Sequence, residues 1–262
     1  MYDTASVLGL ARRAAELGAH RLRAAPPETP PSRKGQHGDV VTACDVEIEK
    51  AVRRLIAGER AEDMIVGEEL ALANPDDAAL RWYVDPIDGT ANYVLGLPHF
   101  GTSVAAYDPV NDRWIAGAVS HPPLDRLYWA SAGGGAWLST AGGPPTRLHA
   151  RRPANAPRVL GGGLSYEPGV RRTQLDQLRR RLGEFDDVRC LGSAALALCL
   201  VAAGSLSAYR ETDLYVFDWA AGALIAEEAG ASVVRGGLGR GSVEAYGGQA
   251  PSSPDSPPGP QS

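Results

Sequence analysis

The segment Asp85-Pro86-Ile87-Asp88-Gly89-Thr90 follows directly on the apolar run Trp82-Tyr83-Val84. No other segment limits the possible folds so sharply. The apolar run reads as a strand, which puts two acids at a strand end. Pro86 fixes its own φ and removes an amide donor, while Gly89 permits backbone geometry costly for other residues, so the turn can hold one shape. Such a turn converges Asp85 and Asp88 on one point. Two nearby carboxylates do not both stay ionised cheaply unless a cation neutralises them, and hard oxygen ligands suit magnesium. Taken alone, the segment also reads as a solvated turn with Asp in an Asx cap. A calcium loop fails on spacing: counting from Asp85, the sixth position is Thr90 rather than Gly, and the twelfth is Gly96 rather than Glu.

Periodicity organises the rest. Val7, Leu10, Ala14 and Leu17 stand at helical spacing within residues 4 to 24, before Pro26 and Pro27 end the pattern. Val46, Ile48, Val52, Leu55 and Ile56 predict a second helix beginning near Asp45, followed by a short strand from Met64 to Val66. From Arg81 to Ala130 the chain is β-rich, with strands at Trp82–Val84, Thr102–Tyr107, Trp114–Val119 and Leu127–Trp129, economically one sheet. After Arg151–Pro157, strands alternate with helices as βα units do. Val170, Leu175, Leu178 and Leu182 predict a solvated amphipathic helix carrying the main Arg run. These patterns divide the chain into an N-terminal α+β part (1–150), a C-terminal α/β part (151–240) and a Gly/Ser/Pro-rich tail (241–262) expected to be disordered.

Two further acidic segments join the first. Gly67-Glu68-Glu69 follows an apolar stretch, so its carboxylates could sit at the mouth of the same sheet, though surface Glu pairs are common. Phe217-Asp218-Trp219-Ala220-Ala221-Gly222 opens a helix with Asp218 suited to the N-cap and Gly230 to the C-terminal stop. An acid there could equally be a plain cap or reach a metal.

Read together, these segments resemble the inositol monophosphatase family over roughly residues 30 to 235. Asp85 through Thr90, continuing to Asn92, looks like the family's first signature, and Asp218-Trp219-Ala220-Ala221-Gly222 is similar to its second. Lys34-Gly35 with Asp39-Val40-Val41-Thr42-Ala43-Cys44-Asp45, then Gly67-Glu68-Glu69, Gly192-Ser193-Ala194-Ala195 and Glu211 fall at further matching positions. The resemblance implies an alternating layered αβαβα sandwich of the inositol monophosphatase/fructose-1,6-bisphosphatase type, commonly homodimeric. It also implies a lithium-sensitive phosphomonoesterase using two or three Mg2+ ions and a metal-activated water. By that pattern Glu68, Asp85 and the Ile87 carbonyl hold one metal, Asp85, Asp88 and Asp218 a second, and Glu68 a weaker third. Thr90 paired with Asp45 orients and deprotonates the water. The amides at Gly89 and Thr90 hold phosphate, Lys34 adds charge, and Glu211 accepts from a substrate hydroxyl. Gly192, Ser193 and Ala194 fall on the substrate side.

The implied substrate is a small phosphorylated metabolite, inositol monophosphate or a similar polyol phosphate. Histidinol phosphate, a 3'-phosphoadenosine nucleotide, fructose bisphosphate and a specialised-pathway intermediate remain alternatives, as does a catalytically silent regulatory homologue. A net charge of -5 gives no footprint for nucleic acid. No apolar run approaches the ~20 residues that span a bilayer. Cys44, Cys190 and Cys199 match neither a disulfide framework nor a zinc site, which suits a reducing cytoplasm. His20, His37, His99, His121 and His149 show no metal-ligand spacing and read as surface or packing residues. The family usually continues past the second signature with another strand and a final helix, whereas this chain turns Gly- and Pro-rich beyond Val234.

Overall fold

The computed structural model describes residues 2–24, 32–33, 40–71, 78–153 and 155–248. Helix α1 (Thr4–Ala24) starts where the Asp3 carboxylate accepts from the Ser6 amide (2.9 Å). Its buried stripe includes Val7, Leu10, Ala14, Gly18 and Leu22. Gly18 rather than Leu17 occupies the tightest place, since a Cβ there would stand 2.1 Å from Thr102 Oγ1. A two-residue pair, β1 (Ser32–Arg33) and β2 (Val40–Val41), precedes α2 (Ala43–Glu59). Helix α2 begins two residues before Asp45 because Thr42 is the N-cap and Asp45 closes a capping box on it.

A seven-stranded sheet follows in chain order: β3 (Met64–Gly67), β4 (Arg81–Asp88), β5 (Gly101–Asp108), β6 (Arg113–His121), β7 (Arg126–Ser131), β8 (Gly135–Thr140) and β9 (Thr146–Arg147). Strands β3 and β4 are parallel and the other neighbours antiparallel. The expected strands are present. Strands β8 and β9 carry too little apolar periodicity to have been foreseen, while the short helix α3 (Thr90–Leu95), with Gly89 at its N-cap, starts where the family resemblance implies a phosphate-holding helix N-terminus.

Strand alternation sends Trp82, Val84, Val104 and Ala106 into a core with α1 and α2, and Tyr83 and Ala105 into a second core on the other face. That second core holds α5 (Ala194–Ala202) and α6 (Val216–Glu228). Its far side is a five-stranded sheet of β10 (Val159–Gly162), β11 (Asp187–Cys190), β12 (Ala208–Leu214), β13 (Ser232–Arg235) and β14 (Gly241–Tyr246), in the order β11-β10-β12-β14-β13. Strand β10 runs parallel to β11 and β12, while β14 runs antiparallel to β12 and β13. Tyr209, Val243 and Ala245 face α5 and α6, whereas Leu160, Ala208 and Tyr246 face outward toward Leu178 of α4 (Pro168–Arg181). The layers are α1/α2, seven strands, α5/α6, five strands and α4, the expected αβαβα sandwich.

Two expectations need correction. Residues 241–246, placed in the tail by composition, form β14 between β12 and β13, so the strand thought missing after Val234 is present. Its Ser-Val-Glu-Ala-Tyr run alternates inward Val243 and Ala245 with Glu244 and Tyr246. The rest of the expected tail, residues 249–262, lies outside the described residues. Helix α4 exists but is rotated from its apolar stripe: Leu175 and Leu182 are exposed, while Gln174 and Arg181 are buried. Polar bonds decide this face. Gln174 accepts from the Ser165 amide (2.7 Å) and donates to the Thr212 carbonyl (3.0 Å), and Arg181 donates to the Tyr246 hydroxyl (3.0 Å).

Candidate active site

A cleft of about 390 Å³ opens where the ends of β3, β4, β10 and β12 meet the N-termini of α3, α5 and α6. Glu68, Asp85, Ile87, Asp88, Gly89, Thr90, Gly192, Ser193, Ala194, Glu211 and Asp218 all line it. Of the residues singled out in the sequence, Asp45 lies buried behind the lining and Lys34 lies outside the described residues.

The strand alternation of β4 positions its acids. Asp85 continues the face of Tyr83, and the ladder to β5 then slips between Asp85 and Asp88. Ile87 puts its side chain into the α1/α2 core, and its carbonyl accepts from Thr90 Oγ1 (2.9 Å). Gly89 has φ 94°, and a Cβ there would stand 2.9 Å from the His99 carbonyl oxygen, so the turn requires glycine. Asn92 ties this turn to the facing wall, its Nδ2 donating to the carbonyls of His99 (2.7 Å) and Leu191 (2.7 Å).

The acids differ in their partners. Asp88 accepts from Ser193 Oγ (2.5 Å) and from the amides of Ala194 (3.1 Å) and Ala195 (2.8 Å), so both its oxygens cap α5. Burial pushes its carboxyl up to about 6 against the pull of these donors. Asp85 is 2% exposed, and no donor reaches its Oδ1 among the described residues. Burial pushes it well above the usual carboxylate range, and the charges of Glu68, Asp88 and Asp218 push the same way. Asp218 stands in the first turn of α6 rather than at its N-cap, which is Tyr215. It accepts from the Tyr215 amide (2.7 Å), and burial, Glu68 and Asp88 raise it well above normal.

Asp45 accepts from Thr42 Oγ1 (2.7 Å) and reaches Thr90 Oγ1 with its other oxygen (3.2 Å), so one carboxylate caps α2 and touches α3. Glu211 accepts from the Tyr209 hydroxyl, and burial pushes it up to about 7 despite that bond, with the charge of Asp88 adding. A buried acid without a donor, flanked by three others, is a strong electrostatic demand for a cation. Among the described residues no three acids, histidines or cysteines are yet drawn together as a finished metal cage.

The family model described as the inositol monophosphatase family matches residues 3–256. The chain belongs to the inositol monophosphatase family. The inositol-1-monophosphatase of Mycobacterium leprae is 39% identical over 233 residues, covering 87% of this chain and 76% of that one. A Pasteurella multocida protein named Nus factor SuhB is 35% identical over 196 residues, covering 74% and 71%. The solved structure of Mycobacterium tuberculosis SuhB superposes with a TM-score of 0.78 at 35% identity, covering 94% of this chain and 93% of that one. This inositol monophosphatase family member is therefore a phosphoric monoester hydrolase, and the cleft is where its acids are gathered.

Other residues of the cleft carried no sequence signal. Ser165, Tyr166, Asp213, Tyr215 and Arg240 line it, brought in by the ends of β10 and β12 and the β13–β14 turn. Beneath the Gly67-Glu68-Glu69 turn, buried Glu49 accepts from the Glu69 amide (2.7 Å). Nothing but an α2 position facing β3 could have pointed to it.

Behind the α3 turn, His99 and His121 pack edge to face with ring centroids 5.4 Å apart. They are packing residues, as expected. Burial holds His99 down at about 4, with His121 adding, so the folded state favours the neutral ring. Stability from this source is complete above the ordinary His value near 6.5 and is lost as pH falls from there toward about 4. Thermal melts of wild type and His99→Phe between pH 7 and pH 4 are expected to converge differently: the variant loses less stability over that window. An equal loss in both would show that His99 does not carry the acid sensitivity.

Proposed function

We propose that this phosphatase is magnesium-dependent and acts on a small phosphorylated metabolite, inositol monophosphate or a similar polyol phosphate. The observation that carries the reading is Asp85, buried with a donorless Oδ1 among Glu68, Asp88 and Asp218. A hard, oxygen-lined, acid-rich cleft fits Mg2+ by donor chemistry. Glu68, Asp85, the Ile87 carbonyl, Asp88 and Asp218 would hold two or three ions. Bound there, magnesium supplies charge stabilisation for the phosphoryl oxygens and the leaving oxygen.

The chain's own residues supply the rest. Thr90 Oγ1, held between the Ile87 carbonyl and Asp45, orients the attacking water, and Asp45 receives the proton through it. The amides of Gly89 and Thr90 at the start of α3 bind phosphate oxygens, with Lys34 as a further cation. Gly192, Ser193 and Ala194 form the substrate-side wall, fixed by the Ser193–Asp88 bond. Glu211 accepts a hydrogen bond from a hydroxyl of the leaving group, which favours a polyol. Cys44, Cys190 and Cys199 form no disulfide among the described residues, which supports a cytoplasmic enzyme, and we read it as a homodimer with no nucleic-acid or membrane partner. Among the described residues no helix is long and apolar enough to cross a membrane.

Histidinol phosphate, 3'-phosphoadenosine nucleotides and fructose bisphosphate use the same chemistry and are the competing substrates. The name of the Pasteurella relative favours a second reading, a regulatory homologue without turnover. A screen of these phosphate esters with and without magnesium separates the two. Magnesium-dependent phosphate release, highest on inositol 1-phosphate and lowered by lithium against a sodium control, is expected. No release from any ester would favour the regulatory reading.

A further inference from the structure

One charged pair in the cleft has no part in this reaction. Arg240, beside the β13–β14 turn, is clamped by Asp213: its Nε lies 2.6 Å from Oδ1, and its Nη2 donates to Oδ2 (2.9 Å). Ser165 Oγ donates to the same Oδ2 (2.5 Å). The Arg240 guanidinium carbon stands 5.2 Å from the centre of the Tyr215 ring. Asp213 sits at the irregularity of β12 with φ 72°, a left-handed conformation that Asp and Asn adopt more readily than other side chains with a Cβ.

The electrostatics of this wall are lopsided. Among the described residues lining the cleft, Arg240 is the only Arg or Lys, and Glu167, Glu211 and Asp213 share its wall. A second phosphate on a substrate that reached this wall would find Arg240 already neutralised and two further carboxylates nearby. A neutral polyol meets no such opposition, because its hydroxyls donate to carboxylates and accept from the guanidinium N–H groups that Asp213 leaves over.

We propose that Asp213 is a specificity-determining residue: by holding Arg240 in an ion pair it closes this wall to a second anionic group, so the cleft takes monophosphates of neutral polyols and discriminates against bisphosphates. The inference rests on the phosphatase reading above. Discrimination here comes from a repulsive element as much as from new attraction.

The test is Asp213→Asn. Asn keeps the shape, tolerates the left-handed backbone and still accepts from Ser165, but it removes the charge that neutralises Arg240. The readout is the ratio of kcat/KM on fructose 1,6-bisphosphate to that on inositol 1-phosphate, with magnesium. We expect the ratio to rise about tenfold, the size of one close charge contact in a partly solvated site, mainly through KM. The double variant Asp213→Asn/Arg240→Ala is expected to lose that gain. A ratio within twofold of wild type in Asp213→Asn, a gain that persists in the double variant, or a wild type that prefers the bisphosphate would each overturn the proposal. A merely structural role would lower both activities together and leave the ratio unmoved. If wild type turns over neither ester, the phosphatase reading fails separately, and the same ratio is then read from Kd values by calorimetry with the two esters.

Discussion

Asp85→Asn is expected to raise the melting temperature of the metal-free protein while lowering magnesium-dependent turnover by about a thousandfold, or about 4 kcal/mol. The two effects have one cause. Asp85 is buried, its Oδ1 has no donor, and Glu68, Asp88 and Asp218 press negative charge on it. Without a cation that arrangement opposes folding, and an amide of the same shape relieves it. The relief should grow as pH rises and shrink as acid protonates the wild-type carboxyl, because a raised folded-state pKa weakens the fold only where the group is charged. Magnesium should raise the melting temperature of wild type and leave that of the variant nearly unchanged. Melting curves in chelator and in magnesium, beside initial rates, make the comparison. A variant that melts lower in chelator, or that keeps turnover within tenfold of wild type, would sink the proposed role of Asp85.

Asp88 would be a poorer choice for that experiment. Its oxygens accept from Ser193, Ala194 and Ala195, so Asp88→Asn sets an NH2 group against the donors at the start of α5 as well as losing a proposed metal ligand. The sequence could not distinguish these two acids, three residues apart in one turn. What it could show was the turn itself, because Pro86 restricts the backbone, Gly89 admits a conformation other residues avoid, and strand alternation orients what precedes them. For the same reason the Thr42–Asp45 capping box was only one step from legible, being a local spacing, while the reach of Asp45 to Thr90 was supplied by family resemblance.

Long-range placements were less legible. The β13–β14 hairpin was hidden by its composition: Gly236, Gly237, Gly239 and Gly241 resemble a linker, yet the Gly236 amide and the Ser242 carbonyl close the hairpin (2.7 Å). Period-two alternation over residues 241 to 246 was present but short, and the Pro-rich run behind it dominated the reading. Helix α4 failed differently. Its leucines made the better apolar stripe, but Gln174 and Arg181 had partners waiting on β12 and β14, and satisfying buried polar groups outweighed burying Leu175 and Leu182. No one-dimensional pattern contains those partners.

Glu49 is the residue whose removal should cost the fold most among those near the cleft. It is fully buried on α2 and accepts from Arg53 Nε (2.8 Å) and from the amides of Glu69 (2.7 Å) and Leu70 (3.2 Å). Arg53 Nη2 also donates to the Leu70 carbonyl (2.9 Å), so the pair fastens both sides of the segment after β3. Gly67 lies so close above it that a Cβ would stand 2.0 Å from Glu49 Oε1. Glu49→Ala strands a guanidinium and two amides at once and should lower unfolding free energy by about 3 kcal/mol. Because those amides directly follow Glu68, the loss should also loosen a proposed magnesium ligand. The expected outcome is a lower denaturation midpoint together with a magnesium requirement raised about tenfold, measured well below the melting temperature. Glu49→Gln keeps the volume but sets an NH2 group against donors, and it should fall between Ala and wild type on both scales. If the magnesium requirement stays at the wild-type level while stability drops, Glu49 holds only the fold, and Glu68 is positioned by something other than the turn that Glu49 ties down.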